Sequence, residues 1–512
     1  MASSIPRRSV VRALLVSLFM ASGAMIFGMD SGEVGGFMAM APFLEDYGYY
    51  DEQTQSYSIK SDVQAAINLL LVVGALLASM TSGYIGSKFG MRAGMFCCGI
   101  TGLVGGIIQC ASPHIVSLYI GRLLFGAAIG YASNFGPVYN AEVAPAPVRG
   151  MAVGLYETCL HLGGVIGACV NKGTYNMTTR WAYRIPLITT MIFPTVLISF
   201  IWLFPESPRW LLSGNKPEAA LRALRRLRGS SYHEEQVSEE IQTISTYIAI
   251  ERRSEETSML DAFKGTDRRR THIACGLLFF QAFSGSTFMS VYGTYFFALC
   301  GVEDAFLANI LLQVCALIAM LVIIPSLRYI GRRTILLWGG VIMSSSMLIV
   351  AAVGTASPNN PISSKILVAF TCIWNFFYTW SWGSVGWVVV AEIPSTVLRA
   401  RTQGLATITG WSSTLVINAT LPYLINPNAA NLGMKIGFLF GGLSFIAVIW
   451  AYFFVPETKD RTLEELDEMF LKKLSVKQFT SYISDSLAVQ EKFGVEDGKS
   501  GTEGTVQMVE HA

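Results

Sequence analysis

Charge is what this chain has least of. Only 14% of its 512 residues are Asp, Glu, Lys or Arg, where a water-soluble protein carries about 25%. Most of such a chain has no water to face, and 52% of the residues are hydrophobic. A net charge of +2 leaves no basic footprint for nucleic acid. There are five histidines and nine cysteines, with no CxxC and no zinc-type spacing, so no metal or other cofactor is expected. The cysteines lie in or beside apolar stretches, and Cys97 and Cys98 are adjacent, which reads as packing rather than as disulfides. With neither a GxxxxGK[ST] loop nor a nucleophile elbow, the chain is not expected to be an enzyme.

What it has in quantity is long apolar runs. A crossing helix needs about 20 largely apolar residues. Twelve runs qualify, at 11–29, 62–84, 93–111, 115–139, 150–171, 183–204, 272–299, 304–327, 333–355, 363–390, 400–424 and 434–455. Arg7, Arg8 and Arg12 precede the first, but no small-residue cleavage site follows, so it reads as a membrane helix and not as a cleaved signal. The polar stretches fall at 1–10, 207–270 and 457–512, around two bundles at 11–206 and 271–456. The 207–270 insert has helical spacing, and Arg222, Arg225, Arg226 and Arg228 form a basic amphipathic face. That helix either lies on an anionic leaflet, packs under the bundle, or is a solvated linker. The last 40 or so residues are polar and Gly/Ser/Glu-rich, the composition of a disordered tail.

The two bundles carry the same marks. Glu142…Arg149 returns as Glu392…Arg399, 250 residues later. Pro205-Glu206-Ser207 returns as Pro456-Glu457-Thr458, and Gly90-Met91-Arg92 as Gly331-Arg332-Arg333. The fold expected is therefore an all-α membrane protein of twelve transmembrane helices in two six-helix halves, with a site between the copies. Lys and Arg collect on one side of the alternating spans, which predicts cytoplasmic termini. The sequon Asn176-Met177-Thr178 then falls outside and is a glycosylation candidate, while Asn418-Ala419-Thr420 lies in an apolar run.

GRLLFGAAIG, PVYNAEVAPAPVRG, FPESPRWLL and VPETKDRTLEELDEMF, in that order, resemble the sugar-porter family of the major facilitator superfamily over about residues 15–470. AEIPSTVLRART and QAFSGSTFMSVYGTYFF resemble its fungal sugar and α-glucoside permease branch. The resemblance implies the major facilitator fold and an inner gate built from Arg92, Glu142, Arg149, Glu206, Arg333, Glu392, Arg399 and Glu457. Static helix capping and topology anchoring are the plainer account of the same charges. Ser87 stands where the family's loop carries an Asp, which removes an acid from that gate.

Asp30, in FGMDSGEVGGF, matches the acid of the family's proton symporters, and Arg122 matches its partner. An ionisable group there is costly unless paired or wet. The alternative is an Asp30 at a helix end facing the outer loop. Glu33, one turn on, either shares the role of Asp30 or lies in an extracellular vestibule. Substrate contacts implied by matching positions are Gln281, Thr287, Trp382 and Trp411, with Ala282 and Gly410 replacing polar family residues. An aromatic face beside amide and hydroxyl groups suits a pyranose. Glu157 occupies the place of a sugar-binding Gln, and His161 lies four residues on, on the same helix face and near mid-bilayer. They either line the cavity, as ligand or proton site, or satisfy each other.

The function expected is proton-coupled import of a hexose or α-glucoside by alternating access. Uniport or export of another polyhydroxylated metabolite is one rival, and a nutrient receptor that keeps the fold is the second. The partners expected are the sugar, protons and the lipid bilayer, with no nucleic acid, in a monomer of the plasma membrane.

Overall fold

The computed structural model describes residues 7–482, apart from 53–54, 112, 146–147, 230–233, 255–258, 358–360, 396–397, 427–428 and 462. The chain's first six residues and the tail from 483 lie outside the described residues.

Helices built on the expected apolar runs form two bundles of six. In the first half, span 1 is two pieces, Arg7–Ala21 and Gly23–Phe37, bent by 43°. Spans 2 to 6 are Ser61–Phe89, Met91–Ala111, Ile115–Val143, Arg149–Thr174 and Trp181–Leu203. In the second half, spans 7 to 10 are Asp267–Leu299, Ala305–Tyr329, Arg332–Ala356 and Ile362–Glu392. Span 11 is Arg399–Ile425 and span 12 Gly433–Phe454. Among the described residues ten helices, or eleven counting the bent pair as one, are long and apolar enough to cross a membrane. Span 11 has the length, but Arg399, Arg401, Gln403 and its many Ser and Thr lower its hydropathy. It packs against spans 2 and 7.

Span 1 extends to Phe37, past the expected end at 29. GEVGGF is too poor in large apolar residues to prolong a hydropathy window. Its helix is fixed instead by close packing on span 5, where a Cβ on Gly32 would stand 2.4 Å from the Gly164 carbonyl oxygen. Small residues at such a seam let helices approach where lipid gives no hydrophobic drive. Spans 7 and 10 are interrupted at Ala282–Ser286 and Thr379–Gly383. Gly285, at φ +96°, takes the first of these turns through a region that side chains disfavour.

The repeated marks build the same module twice. The Glu206 carboxylate accepts from the backbone amides of Met91 and Arg92 at 3.2–3.4 Å, capping span 3. The Glu457 carboxylate accepts from those of Arg332 and Arg333 at 2.7 and 3.2 Å, capping span 9. Ser207 donates to Glu142 at 2.5 Å, and Thr458 donates to Glu392 at 2.5 Å. A carboxylate on a helix N-terminus answers its free amides and its dipole.

The linker is Pro208–Ser213, Pro217–Arg228 and Glu234–Ser254. Its basic helix packs under the first half: buried Arg228 donates to the Val143 carbonyl at 2.8 Å and pairs with Glu240 at 2.5 Å. The final helix, Leu463–Leu471, is held by an Arg270–Asp467 pair. Residues 472–482 depart from the expected disorder: Phe479 is fully buried against Phe470, and Tyr482 donates to Glu468 at 2.6 Å.

Candidate functional site

The halves touch chiefly at the end away from the repeated marks. Asn68 of span 2 donates to the Tyr292 hydroxyl of span 7 at 2.7 Å. Asn426, just past span 11, reaches Ser61 and Gln64 at 3.0 and 2.9 Å. Asn309 of span 8 donates to the Gly32 carbonyl at 3.2 Å, and Lys172 pairs with Asp304 at 2.5 Å. At the marked end, open space surrounds the positions a side chain would fill on Gly150 and Gly154 of span 5 and Gly404 of span 11. The hydrogen bonds and the ion pair named above tie the halves at one end, and among the described residues the cleft between them is untied toward the marked end.

The residues expected to form the gate lie at the marked helix ends, and among the described residues the ion pairs shown for them lie within one half. Arg92 reaches Glu206 at 3.5 Å and donates to the Phe204 carbonyl at 2.9 Å. Arg332 pairs with Glu392 at 3.2 Å, and Arg333 donates to the Tyr452 carbonyl at 2.7 Å. Glu142 is 3.9 Å from Arg209. Arg149 is exposed, and Nε and Nη2 of Arg399 are buried without a hydrogen bond.

Asp30 and Arg122 do come together. Both are buried, at 5% and 0% exposure. Arg122 grips both carboxylate oxygens, with Nη2 to Oδ2 at 3.2 Å, and its Nε donates to the Ile67 carbonyl at 3.1 Å. This excludes an Asp30 turned to the outer loop. Removing one partner of such a pair strands a buried charge, at a cost of about 3–5 kcal/mol. Glu33 is not in a vestibule either: it is 1% exposed, because spans 5 and 6 cover it.

Glu157 and His161 are half-buried, and no hydrogen bond or ion pair joins them among the described residues. They do not satisfy each other. Across the cleft, Tyr378 of span 10 is close enough to feel the Glu157 charge, with its phenol within reach of Ser286 in the span 7 turn. Tyr378 also stacks on Trp374, with centroids 5.3 Å apart. Sequence reasoning missed both Tyr378 and Ser286. Their signal was faint, a hydroxyl next to Thr287 and one aromatic among many.

Gln281 spends both amide hydrogens on span 10, donating to the carbonyls of Trp382 and Gly383 at 2.9 and 3.0 Å. Those carbonyls are free because the turn at Thr379–Gly383 breaks the helical ladder. Thr287 and Trp411 are half-buried. Trp382 requires correction: it is fully buried and donates to the Leu336 carbonyl at 3.1 Å, so it presents no face to the cleft. Trp387, at 44% exposure, is the tryptophan of span 10 that leaves the core. Five residues before Glu392, it could have been found by counting back from the repeated AE mark.

Asn176 is exposed in the turn after span 5. Nearby, burial and the Asp46 charge push the Tyr47 phenol up to about 12, so it stays neutral. A hollow of about 960 Å³ lies beside Cys300, Asp304, Leu311, Lys365 and Met434. None of the expected binding residues lines it, so it is not the site described here.

A family model described as "Sugar (and other) transporter" matches residues 16–470. The chain is 32% identical to a probable glucose transporter of Neurospora crassa, over 90% of this chain and 79% of the relative. It is 30% identical to the high glucose sensor of Saccharomyces cerevisiae over 91% of this chain, spanning only 62% of the sensor's length. Among solved structures, the xylose transporter of E. coli in an inward open conformation superposes with a TM-score of 0.72 at 21% identity, covering 89% of this chain and 99% of the other. The same E. coli protein is described as a proton:xylose symporter in a second structure, with a TM-score of 0.71 at 22% identity over 91% of this chain and 100% of that one.

Proposed function

Because the chain belongs to the sugar (and other) transporter family and has the major facilitator fold, we propose that it imports a sugar by alternating access, driven by a proton. The observation that carries this reading is the buried Asp30–Arg122 pair. Buried acids in transporters are costly and mark proton or ion pathways. Protonating Asp30 would release Arg122 from its carboxylate and change the energy of one arrangement of the halves relative to the other. A proton has leverage on the cycle only through such a difference.

The sugar would sit in the cleft, between Glu157 and His161 of span 5 and Gln281, Ser286, Thr287 and Tyr378 of spans 7 and 10. Trp387 and Trp411 are the aromatic faces available to its C–H groups. Gln281 brings its carbonyl oxygen, since its amide hydrogens are already taken. Glu157, half-buried and without a partner among the described residues, favours a ligand rich in hydroxyl donors and disfavours a sugar acid. With the basic loops facing the cytoplasm, the marked end is the inner one, both termini are cytoplasmic and the exposed Asn176 is outside. The expected home is the plasma membrane. In the gate, each charged module holds its own half rigid in the inward-facing state, and Arg149 and Arg399 supply the charges left to cross the cleft when it closes.

A sensor is the second reading, favoured by the resemblance to the yeast glucose sensor. Uptake of labelled D-glucose, D-xylose and maltose by transporter-deficient yeast, with and without a protonophore, separates the readings. Proton-coupled import predicts accumulation that the protonophore abolishes and Asp30→Asn loses, while equilibrium exchange survives. Uptake indifferent to the protonophore would make the protein a uniporter. No uptake from correctly delivered protein would favour the sensor or another substrate.

A further inference from the structure

Two carboxyl groups are buried one helical turn apart in span 1, and one guanidinium is paired with the first of them. Asp30 takes it: both its oxygens are held by Arg122, whose Nε is committed to Ile67. Glu33 is left over. Among the described residues its Oε2 has no hydrogen-bond partner, and its Oε1 lies 3.4 Å from the Thr189 hydroxyl. That hydroxyl has one hydrogen, and the Pro186 carbonyl lies at 2.7 Å. The Thr189 hydroxyl can donate to either oxygen, and with its hydrogen on the nearer Pro186 carbonyl it is able to accept from a protonated Glu33.

Among the described residues, no ion pair reaches the Glu33 side chain, and Thr189 is its one hydrogen-bond contact. Asn171 of span 5 gives its amide hydrogens to the backbone carbonyls of Gly32 and Glu33, not to the side chain. Cys110 of span 3 is the next ionisable neighbour, and Arg184 of span 6 acts on that thiol. On span 7 the Tyr292 phenol accepts from Asn68. Two buried acids and one committed cation reach neutrality with a single proton on the pair, because an unpaired buried carboxylate is far costlier than its neutral acid.

We propose that Glu33 is a second proton-carrying group, holding the coupling proton while Asp30 is paired with Arg122 and handing it to Asp30 when that pair opens. The transfer balances. The Glu33 O–H bond breaks and an Asp30 O–H bond forms, Glu33 becomes the carboxylate, and the Arg122 charge then has Glu33 as its counter-ion. The proposal rests on the proton-coupled reading above. It deepens that reading by giving the proton two stations, in a transporter whose span 1 carries acids at 30 and 33.

Glu33→Gln tests it without unfolding the site, since the amide keeps the shape and neutrality of the protonated acid but has no proton to give. Net protonophore-sensitive accumulation of D-glucose or D-xylose should fall at least about tenfold, within the range for losing a positioned proton-transfer group. Equilibrium exchange, which moves no net proton, should stay within about twofold on the same argument. Glu33→Asp, still a proton carrier, should retain more net uptake than Glu33→Gln. Infrared difference spectra of the purified protein in lipid nanodiscs give a readout free of substrate: a protonated-carboxyl band at neutral pH, present in wild type and absent in Glu33→Gln. Wild-type net uptake in Glu33→Gln, or an unchanged band, overturns the relay alone. Equal loss of exchange and net uptake in both Glu33 variants makes the residue structural and also overturns it. Wild-type uptake that ignores the protonophore overturns proton coupling itself, and the relay with it.

Discussion

Gly331 shows how much one residue of a repeated mark can be asked to do. A Cβ there would stand 2.2 Å from the Glu457 carboxylate, which caps span 9. Gly331→Ala should push that carboxylate off the Arg332 and Arg333 amides and cost about 1–3 kcal/mol, the scale of a lost charged hydrogen bond. Thermal melts in detergent check this against Gly150→Ala, where open space predicts little change. A melting temperature equal to wild type would mean the cap contributes nothing. At this scale the sequence announced the residues that repeat or match in pairs. Glu142 and Glu392, Glu206 and Glu457, and Asp30 with Arg122 were all legible. It did not announce which of several like residues faces where. Trp382 and Trp387 are both tryptophans of one span, and the turn between Tyr378 and Val385 decides that the first is buried and the second exposed. Glu33 looked like a vestibule residue because its cover, Thr189 and Asn171, arrives from spans 5 and 6.

Elements were readable to the extent that hydropathy alone forms them. Helices occupy all twelve expected runs, since a backbone in lipid must satisfy its own hydrogen bonds. The breaks in spans 1, 7 and 10 were not readable, because apolar residues continue through them and tertiary partners stabilise them. The turn in span 7 is held by Ser284 and Ser286, which donate to the Gln281 carbonyl at 2.7 and 3.1 Å. Gln281 in turn answers the carbonyls freed by the turn in span 10. The two breaks are thus one joint, and Gly285 is its pivot. Gly285→Ala would force a side chain to φ +96° and bring its Cβ within 3.2 Å of Phe440. A left-handed residue costs about 1–2 kcal/mol, so the break should shift and maximal transport rate should fall several-fold or more. Initial-rate uptake across sugar concentrations reads this directly. A normal rate with normal affinity would show that the joint tolerates a side chain and is no pivot.

For the whole molecule the question is what holds the cleft shut at the end away from the repeated marks. Asp304 does two jobs there, capping span 8 through the Leu307 amide at 2.9 Å and pairing across the halves with Lys172. Tyr175 and Phe306 add a ring contact at 4.7 Å beside it. Burial works against the Asp304 charge, but the bonds from Lys172 and Leu307 outweigh it and hold the carboxyl below its usual range. A carboxyl depressed in the closed form stabilises that form fully above the ordinary carboxylate range. The contribution fades as the pH at that end falls through the depressed value, so acid loosens it. The two side chains are 30% and 35% exposed, and screening limits such a pair to at most about 1 kcal/mol. That corresponds to roughly a fivefold change in the open-to-closed ratio. Asp304→Asn keeps a residue able to cap span 8 while removing the charge that Lys172 holds. Spin labels at Met177 and Glu303, one on each half, should report a larger wide-distance population in Asp304→Asn and Lys172→Ala than in wild type at neutral pH. Acidification should raise that population in wild type and leave Asp304→Asn nearly unmoved. If acid widens Asp304→Asn as much as wild type, the pH response belongs to the buried acids of span 1 and not to this latch.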